Sequence, residues 1–219
     1  MLVVFSCAMY AASAYCSTPK KSRSGILERL KQLVPEVAVE EESSDGWVES
    51  TLAAMTLREK IGQMMMINLK GPILTNEELK HLKEGAFGNV IFFASNIIDQ
   101  EQTRTLTHDL QNFAIINHGV PMLIAVDQEG GIVNRLGDLT KLSAMKYSAR
   151  TLGTVYEYDP NRAPRIIKKA TKDIALRLKE LGFNMNMAPV LDLTNDKKSY
   201  IYSRSYGANP VSYTHLRAH

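Results

Sequence analysis

MLIAVDQEGG, residues 122–131, joins a short apolar run to two carboxylates and two glycines. An apolar run of this length, opened by Pro121 and closed by glycines, predicts a strand covered on both faces, as in parallel sheets. Asp127 and Glu129 follow the C-terminal end of that strand, where ligands and catalytic groups gather in α/β barrels and open α/β sheets. Both are therefore candidate site residues. A strand followed by an acidic, glycine-rich turn without a function would have the same pattern.

The composition favours a globular protein with a small or uncharged ligand. The chain has 219 residues, and its 45% apolar content can form a sizeable core. Its net charge of +3, from 26 basic and 23 acidic residues, is too balanced to suggest nucleic acid. The two cysteines, Cys7 and Cys16, lie near the N-terminus, and the histidines have no metal-ligand spacing. We expect no metal and no cofactor.

The N-terminus predicts export. Residues 1–14 are mostly apolar or small and end in Ala12-Ser13-Ala14, which has the form of a signal-peptidase site. We expect a signal peptide at 1–14, a linker at 15–45 and a periplasmic or extracellular protein. The usual positive n-region is missing, so a cytoplasmic location is the alternative. The segment is too short to span a bilayer as a helix, so no stable membrane span is predicted.

From Trp47 onward, capped helices alternate with short apolar runs, which is typical of βα units. Helix starts are predicted at Thr56 with Glu59, Thr75 with Glu78, and Asp99 with Gln102, and a further helix from Pro164 to Gly182. Strands are predicted at 64–68, 89–93, 122–126 and 184–188.

This alternation predicts parallel strands joined by crossovers, in either an open doubly wound sheet or a (β/α)8 barrel. No strand is followed by G-x-G-x-x-G, so a dinucleotide-binding fold lacks its best evidence. Four strands are half of a barrel, and a complete barrel takes about 250 residues. The barrel interpretation therefore requires that the chain be cut short.

Three polar clusters, at 127–135, 188–192 and 204–207, are expected to face one rim of the sheet. Aspartate accepts hydrogen bonds from neighbouring sugar hydroxyls, and arginine donates through a planar fork. The clusters therefore suit a ligand dense in hydroxyl groups better than a phosphate.

Two of these residues also have simpler explanations. Arg135 could form a salt bridge to Glu129 or Asp138, and such a bridge would need no ligand. Asp192 could cap a helix or occupy a turn.

The segment from Asp127 to Arg135 resembles the D-Q-E-G-G-x-V-x-R segment of glycoside hydrolase family 3. Residues 180–192 are similar to that family's L-G-x-N-x-x-x-A-P-V-x-D, and residues 204–210 to its R-S-F/Y-G-x-x-P. D-Q-E-G-G resembles the bacterial β-N-acetylhexosaminidases more than the plant-like β-glucosidases. Ile132 departs from the bacterial pattern, which usually has arginine there.

The resemblance implies an α/β fold: residues 46–210 would form the N-terminal half, about four βα units, of a TIM-type (β/α)8 barrel. It implies a glycoside hydrolase that removes terminal β-N-acetylglucosamine from cell-wall-derived oligosaccharides by a retaining mechanism. The partner would be a small oligosaccharide or glycoside. A family 3 β-glucosidase or xylosidase is one alternative, and a non-catalytic sugar-binding protein is another.

The resemblance also assigns roles. Asp127 would bind sugar hydroxyls, Arg135 and Arg204 would line the same subsite, and Glu129 and Asp192 would support it. No catalytic residue is assigned, because the family's K-H-F-P-G-H-G strand, acid/base loop and nucleophilic aspartate follow the R-S-Y-G segment and are not in this sequence. We therefore expect these residues alone to be inactive. Residues 211–219 resemble translated adapter sequence, and we expect a non-native tail.

Overall fold

The computed structural model describes residues 44–140 and 147–210. The chain divides into two compact units, Met1–Ala54 and Met55–His219. The described part of the first unit is helix α1 (Ser44–Ala54), which crosses the domain boundary predicted after residue 45. The predicted signal peptide, nearly all of the predicted linker and the predicted tail lie outside the described residues.

A parallel sheet of four strands organises the second unit. The strands of this unit are β1 (Met66–Asn68), β2 (Asn89–Phe92), β3 (Leu123–Val126), β4 (Gln128–Gly130), β5 (Val133–Asn134) and β6 (Met185–Asn186). The parallel sheet has the order β1-β2-β3-β6, which is also the order along the chain. A doubly wound sheet reverses its strand order at a switch point. The unreversed order therefore confirms the barrel-type half sheet and excludes the doubly wound alternative.

Helices precede or connect these strands: α2 (Leu57–Met64), α3 (Asn76–Gly85), α4 (Gln100–His118), α5 (Ala149–Tyr158) and α6 (Ala163–Glu180). Single 3-10 turns lie at Ala94–Asn96, Gly137–Thr140 and Tyr202–Arg204. Thr56 and Thr75 form the predicted capping boxes, each with both reciprocal hydrogen bonds. Asp99 caps α4 by accepting from Gln102 N, whereas the Gln102 side chain reaches back to Ile98 N.

Helix α6 matches its sequence pattern at both ends. Pro164 lies in the first turn, where its missing N–H costs nothing, and Gly182 follows the last turn with φ of +87°. The apolar stripe of the helix and its C-cap is buried: Ile167, Ala170, Ile174, Leu178 and Leu181. Helix α5 was not predicted, although its N-cap Ser148 was a visible signal.

The core forms between the sheet and the helices. Ile124, Ala125 and Val126 in β3 are each fully buried, which confirms the prediction of a strand covered on both faces. Phe92 at the end of β2 meets Phe183 edge to face, with ring centroids 5.2 Å apart. The core fixes the C-terminal ends of β2 and β3, and these ends carry the site.

All four predicted strands are shorter than expected, β2 and β3 by one residue each and β1 and β6 by more. Strand β1 begins at Met66 because α2 continues through Met64. Strand β6 is limited to Met185 and Asn186, although Asn184 N and Met187 N on either side still donate to Ile124 O and Val126 O of β3. The Asn184 side chain adds two further hydrogen bonds to the backbone next to and within β3. None of the helices in the described ranges is long and apolar enough to cross a membrane.

Candidate functional site

The acidic segment after β3 is a hairpin. Strands β4 and β5 pair antiparallel around a two-residue turn, Gly131-Ile132. The sequence pattern predicted only an acidic, glycine-rich turn here, and no strands. Gly130 and Gly131 have φ of +85° and +63°, a backbone region that favours glycine, and Ile132 is 65% exposed at the tip. The hairpin turns the chain back, so that Arg135 returns to the strand end that carries Asp127.

Glu129 and Arg204 form a closed pair. Arg204 Nε donates to Glu129 Oε2 at 2.9 Å, and Arg204 Nη2 donates to Glu129 Oε1 at 2.7 Å. The side chains are only 7% and 20% exposed, respectively. The hydrogen bonds from Arg204 to Glu129 raise the pKa of Arg204 above its ordinary value, and the nearby charge of Asp127 adds to this effect. Both carboxylate oxygens of Glu129 are therefore engaged by one guanidinium group.

Asp127 and Arg135 form an open pair. Arg135 Nη2 lies 3.6 Å from Asp127 Oδ2, which is an ion-pair distance but too long for a good hydrogen bond. The side chains are 31% exposed for Arg135 and 26% for Asp127. Among the residues that the structure describes, neither side chain makes a hydrogen bond, and Arg135 Nε is buried without a partner. This pair therefore retains donors and an acceptor for a ligand.

Aromatic rings flank both arginines. The guanidinium carbon of Arg135 lies 5.6 Å from the centroid of Phe93, the residue after β2. That of Arg204 lies 5.4 Å from the ring of Tyr200. Both distances are within the range of cation–π attraction. The residues that follow β2 and β3 thus meet the segment around Arg204, which is distant in sequence, at the C-terminal edge of the sheet.

Amide side chains, one of them fully buried, hold the hairpin in place. Gln128 is 1% exposed; its Oε1 accepts from Leu136 N at 3.1 Å, and its Nε2 donates to Asn134 Oδ1 at 2.9 Å. Asn186 in β6 accepts from Gln128 N at 3.0 Å and donates to Gln128 O at 3.1 Å. Neither role was predicted from the sequence. The signal was the alternation of Asn184 and Asn186, which places their side chains on one face of a strand.

The candidate residues thus divide into two groups. The structure brings Asp127, Arg135, Glu129 and Arg204 together. Arg135 pairs with Asp127 and not with Glu129, as one of the simpler explanations would require. The other predicted partner, Asp138, has its side chain outside the described residues. Asp192 is exposed in an irregular segment and caps no helix; within the described ranges it makes no hydrogen bond or ion pair.

A cavity of about 340 Å³ adjoins the closed pair. Glu129 and Arg204 contribute to its wall, and most of the remainder is apolar surface from α5, α6 and the residues after β6. Asp127 and Arg135 do not line this cavity. An apolar cavity does not match a ligand rich in hydroxyl groups, so we place the candidate sugar site at the open pair.

The side chains of the site can bind a polar ligand through hydrogen bonds. Carboxylate and guanidinium groups can fix neighbouring hydroxyls by charge-assisted hydrogen bonds. No group of three or more His, Cys, Asp or Glu side chains that could hold a metal ion occurs in the described part of the chain.

The chain belongs to glycoside hydrolase family 3: residues 56–218 match the model of the glycosyl hydrolase family 3 N-terminal domain. A β-hexosaminidase from Bordetella avium is 36% identical over 148 residues, which are 67% of this chain and 40% of that protein. The chain thus spans about two fifths of the length of this curated relative.

Solved structures give the same family. A family 3 β-N-acetylglucosaminidase from Paenibacillus sp. str. FPU-7 has a TM-score of 0.66 and 32% identity, over 74% of this chain and 30% of that one. NagZ from Neisseria gonorrhoeae, in complex with N-trifluoroacetyl-D-glucosamine, has a TM-score of 0.62 and 29% identity, over 69% of this chain and 43% of that one.

Proposed function

We propose that these residues form the sugar-binding part of a glycoside hydrolase that removes terminal β-N-acetylglucosamine from oligosaccharides. The open pair of Asp127 and Arg135 carries the proposal, because its hydrogen-bonding groups are placed at the C-terminal edge of the sheet and are not used by the described residues. Family membership and the β-hexosaminidase relatives support the reaction. The glucosamine derivative bound to the Neisseria protein supports the choice of sugar.

Each residue of the two pairs has a distinct role in this proposal. Asp127 accepts hydrogen bonds from adjacent hydroxyls of the terminal sugar, and Arg135 donates to the same sugar. Arg204 uses Nε and Nη2 to hold Glu129, which leaves Nη1 to donate to the ligand. Glu129 fixes the orientation of Arg204 and does not itself meet the sugar.

The bond-breaking groups come from elsewhere in the polypeptide. A retaining glycosidase needs one carboxylate as nucleophile and a second group that protonates the leaving oxygen and then activates water. Asp127 faces Arg135, and Glu129 is held at both oxygens by Arg204. Neither carboxylate is arranged for these tasks, so the described residues bind the sugar and leave its cleavage to groups outside them.

The complete gene product provides the test. It should release nitrophenol from p-nitrophenyl N-acetyl-β-D-glucosaminide and much less from the β-glucoside and β-xyloside. Faster release from the glucoside or the xyloside would mean that the protein is a glycoside hydrolase with a different sugar specificity. Saturable binding of N-acetylglucosamine without turnover of any of the three substrates would overturn the reaction and favour a sugar-binding protein.

We further propose that the protein is exported and acts on fragments of the cell wall. The proposal rests on the apolar segment 1–14 and its Ala12-Ser13-Ala14 end. Mass spectrometry of the protein recovered from periplasmic or culture fractions should find a mature N-terminus at Tyr15. An intact N-terminus on active cytoplasmic protein would contradict export.

A further inference from the structure

Helix α5 lies between the two parts of the chain that carry the closed pair. At its start, the N-cap Ser148 faces the hairpin turn: a Cβ atom placed on Gly131 would lie 2.7 Å from Ser148 Cβ. One turn further, Gly153 lies so close to Tyr206 O that a Cβ atom there would overlap the carbonyl. The helix therefore touches the Glu129 hairpin on one side and the segment after Arg204 on the other.

Arg150, in the first turn of α5, binds the segment that carries Arg204. Its Nε donates to Tyr202 O at 3.2 Å, and its Nη2 donates to Thr194 O. Its guanidinium carbon lies 4.2 Å from the centroid of the Tyr202 ring. Tyr202 and Arg204 share one 3-10 turn, so a restraint on the Tyr202 backbone also restrains Arg204.

The segment from 194 to 205 has mostly local hydrogen bonds of its own. Ser199 N donates to Asp196 O, and Arg204 N donates to Ile201 O, so these bonds set the shape of the segment. Thr194 N donates to Gly207 O at 3.0 Å and closes the segment on itself. Such bonds do not fix where the segment lies against the sheet. Apart from the hydrogen bonds of Arg204 to Glu129, Arg150 restrains that position, because it reaches Thr194 near one end of the segment and Tyr202 near the other.

We propose that Arg150 is a positioning residue for sugar binding: by tying Thr194 and Tyr202 to helix α5, it holds Arg204 where it meets Glu129 and the ligand. The inference rests on the proposed function, in which Arg204 contacts the sugar. Arg150 itself meets no substrate. Its planar fork is suited to the task, because a lysine could not donate to two carbonyl groups and cover the Tyr202 ring in the same geometry.

A double-mutant cycle on the complete gene product tests this role. Arg150→Met should raise the KM for the N-acetylglucosaminide about ten-fold while leaving kcat nearly unchanged. A ten-fold change is within the range of interaction energies between residues that share one hydrogen-bond network. If Arg150 acts through Arg204, adding Arg150→Met to Arg204→Met should change KM less than two-fold. Arg165→Met is the control, because Arg165 is exposed on α6 and, within the described part of the chain, makes no hydrogen bond or ion pair.

Chemical rescue separates positioning from a general loss of folding. Arg150→Ala leaves room for a small guanidinium ion, so methylguanidinium, added well below denaturing concentrations, should restore much of the lost affinity. It should not rescue Arg204→Ala to the same extent. Thermal unfolding of each variant shows whether the fold is retained, and Arg150→Lys, which keeps the charge, should have an intermediate KM.

The outcomes distinguish the inference from the function on which it rests. An additive cycle, or a kcat loss without a KM change, would overturn the positioning role of Arg150. So would a variant that loses affinity, retains its unfolding midpoint and is not rescued by methylguanidinium. If Arg204→Met leaves KM unchanged, or if the complete gene product hydrolyses none of the glycosides, the proposed function fails instead.

Discussion

The two acid–arginine pairs of the site use the same residue types but differ in every physical respect. Glu129 and Arg204 share two short hydrogen bonds and are largely buried. Asp127 and Arg135 are 3.6 Å apart, about a quarter to a third exposed, and without hydrogen bonds among the described residues. In the closed pair, hydrogen bonds within the chain occupy both oxygens of Glu129 and two of the three nitrogens of Arg204, so that only Arg204 Nη1 remains for a ligand. No hydrogen bond among the described residues occupies the open pair. Hydrogen-bond saturation therefore distinguishes the carboxylate of Glu129, which holds Arg204, from that of Asp127, which can accept hydrogen bonds from a ligand.

Removal of one partner of the closed pair should have the largest effect. Glu129→Ala leaves the Arg204 charge buried without its carboxylate, and breaking a buried pair costs about 3 to 5 kcal/mol. Urea unfolding of the complete gene product should show this loss. The double variant Glu129→Leu/Arg204→Met is the control: it should recover much of the stability, because no charge remains unpaired, while sugar binding stays impaired. Equal losses in the single and double variants would contradict the closed-pair description.

Asp127→Ala should have the opposite profile. The open pair lies partly in solvent and makes no hydrogen bond among the described residues, so it contributes about 0 to 1 kcal/mol to stability. The unfolding midpoint should therefore scarcely move. Loss of two charge-assisted hydrogen bonds to the sugar, each worth about 1.5 to 3 kcal/mol, should lower kcat/KM by at least about 100-fold. Asp173→Ala is the control, since Asp173 is a half-buried aspartate that also forms an ion pair, with the more exposed Lys169 on α6. A fall in stability equal to that of Glu129→Ala would remove the distinction between the pairs.

The hairpin turn connects the two pairs, and Gly131→Ala should weaken both. The substitution strains a residue at φ +63° and drives a Cβ atom to 2.7 Å from Ser148 Cβ. We expect a stability loss of about 2 kcal/mol from the left-handed strain and the contact together, with a rise in KM. Gly119→Ala is the control, because Gly119 has φ +69° and nothing within 4 Å of the added atom. Equal effects at both positions would show that the contact with Ser148 does not matter.

The sequence predicted the location of the acidic residues better than their partners. Local periodicity indicated β3 and the two carboxylates behind it, and capping signals indicated most helix starts. The partners were harder to predict. Arg135 meets Asp127 because a hairpin folds the chain back, and the short strands β4 and β5 have too few residues for a period-2 signal. Arg204 meets Glu129 across 75 residues through packing against α5, and no local pattern encodes such a distance.

The smallest effect is predicted for Arg135→Lys, which separates the contribution of the arginine's hydrogen-bond geometry from that of its charge. Arg135→Lys keeps the positive charge beside Asp127 but removes the planar fork and the buried Nε, which has no partner in the described ranges. If that nitrogen donates to the sugar, kcat/KM should fall about ten-fold, which corresponds to about 1.4 kcal/mol for one hydrogen bond. The unfolding midpoint should stay unchanged.

Arg177→Lys is the control for this last substitution, because Arg177 also has a buried Nε without a described partner and pairs with Glu180 at 2.7 Å on α6. It should leave KM unchanged. If Arg135→Lys has the kinetic constants of the wild type, the positive charge at this position is sufficient for sugar binding. The open pair would then be defined by its electrostatic field, and its unused hydrogen-bond donors would carry no part of the binding energy.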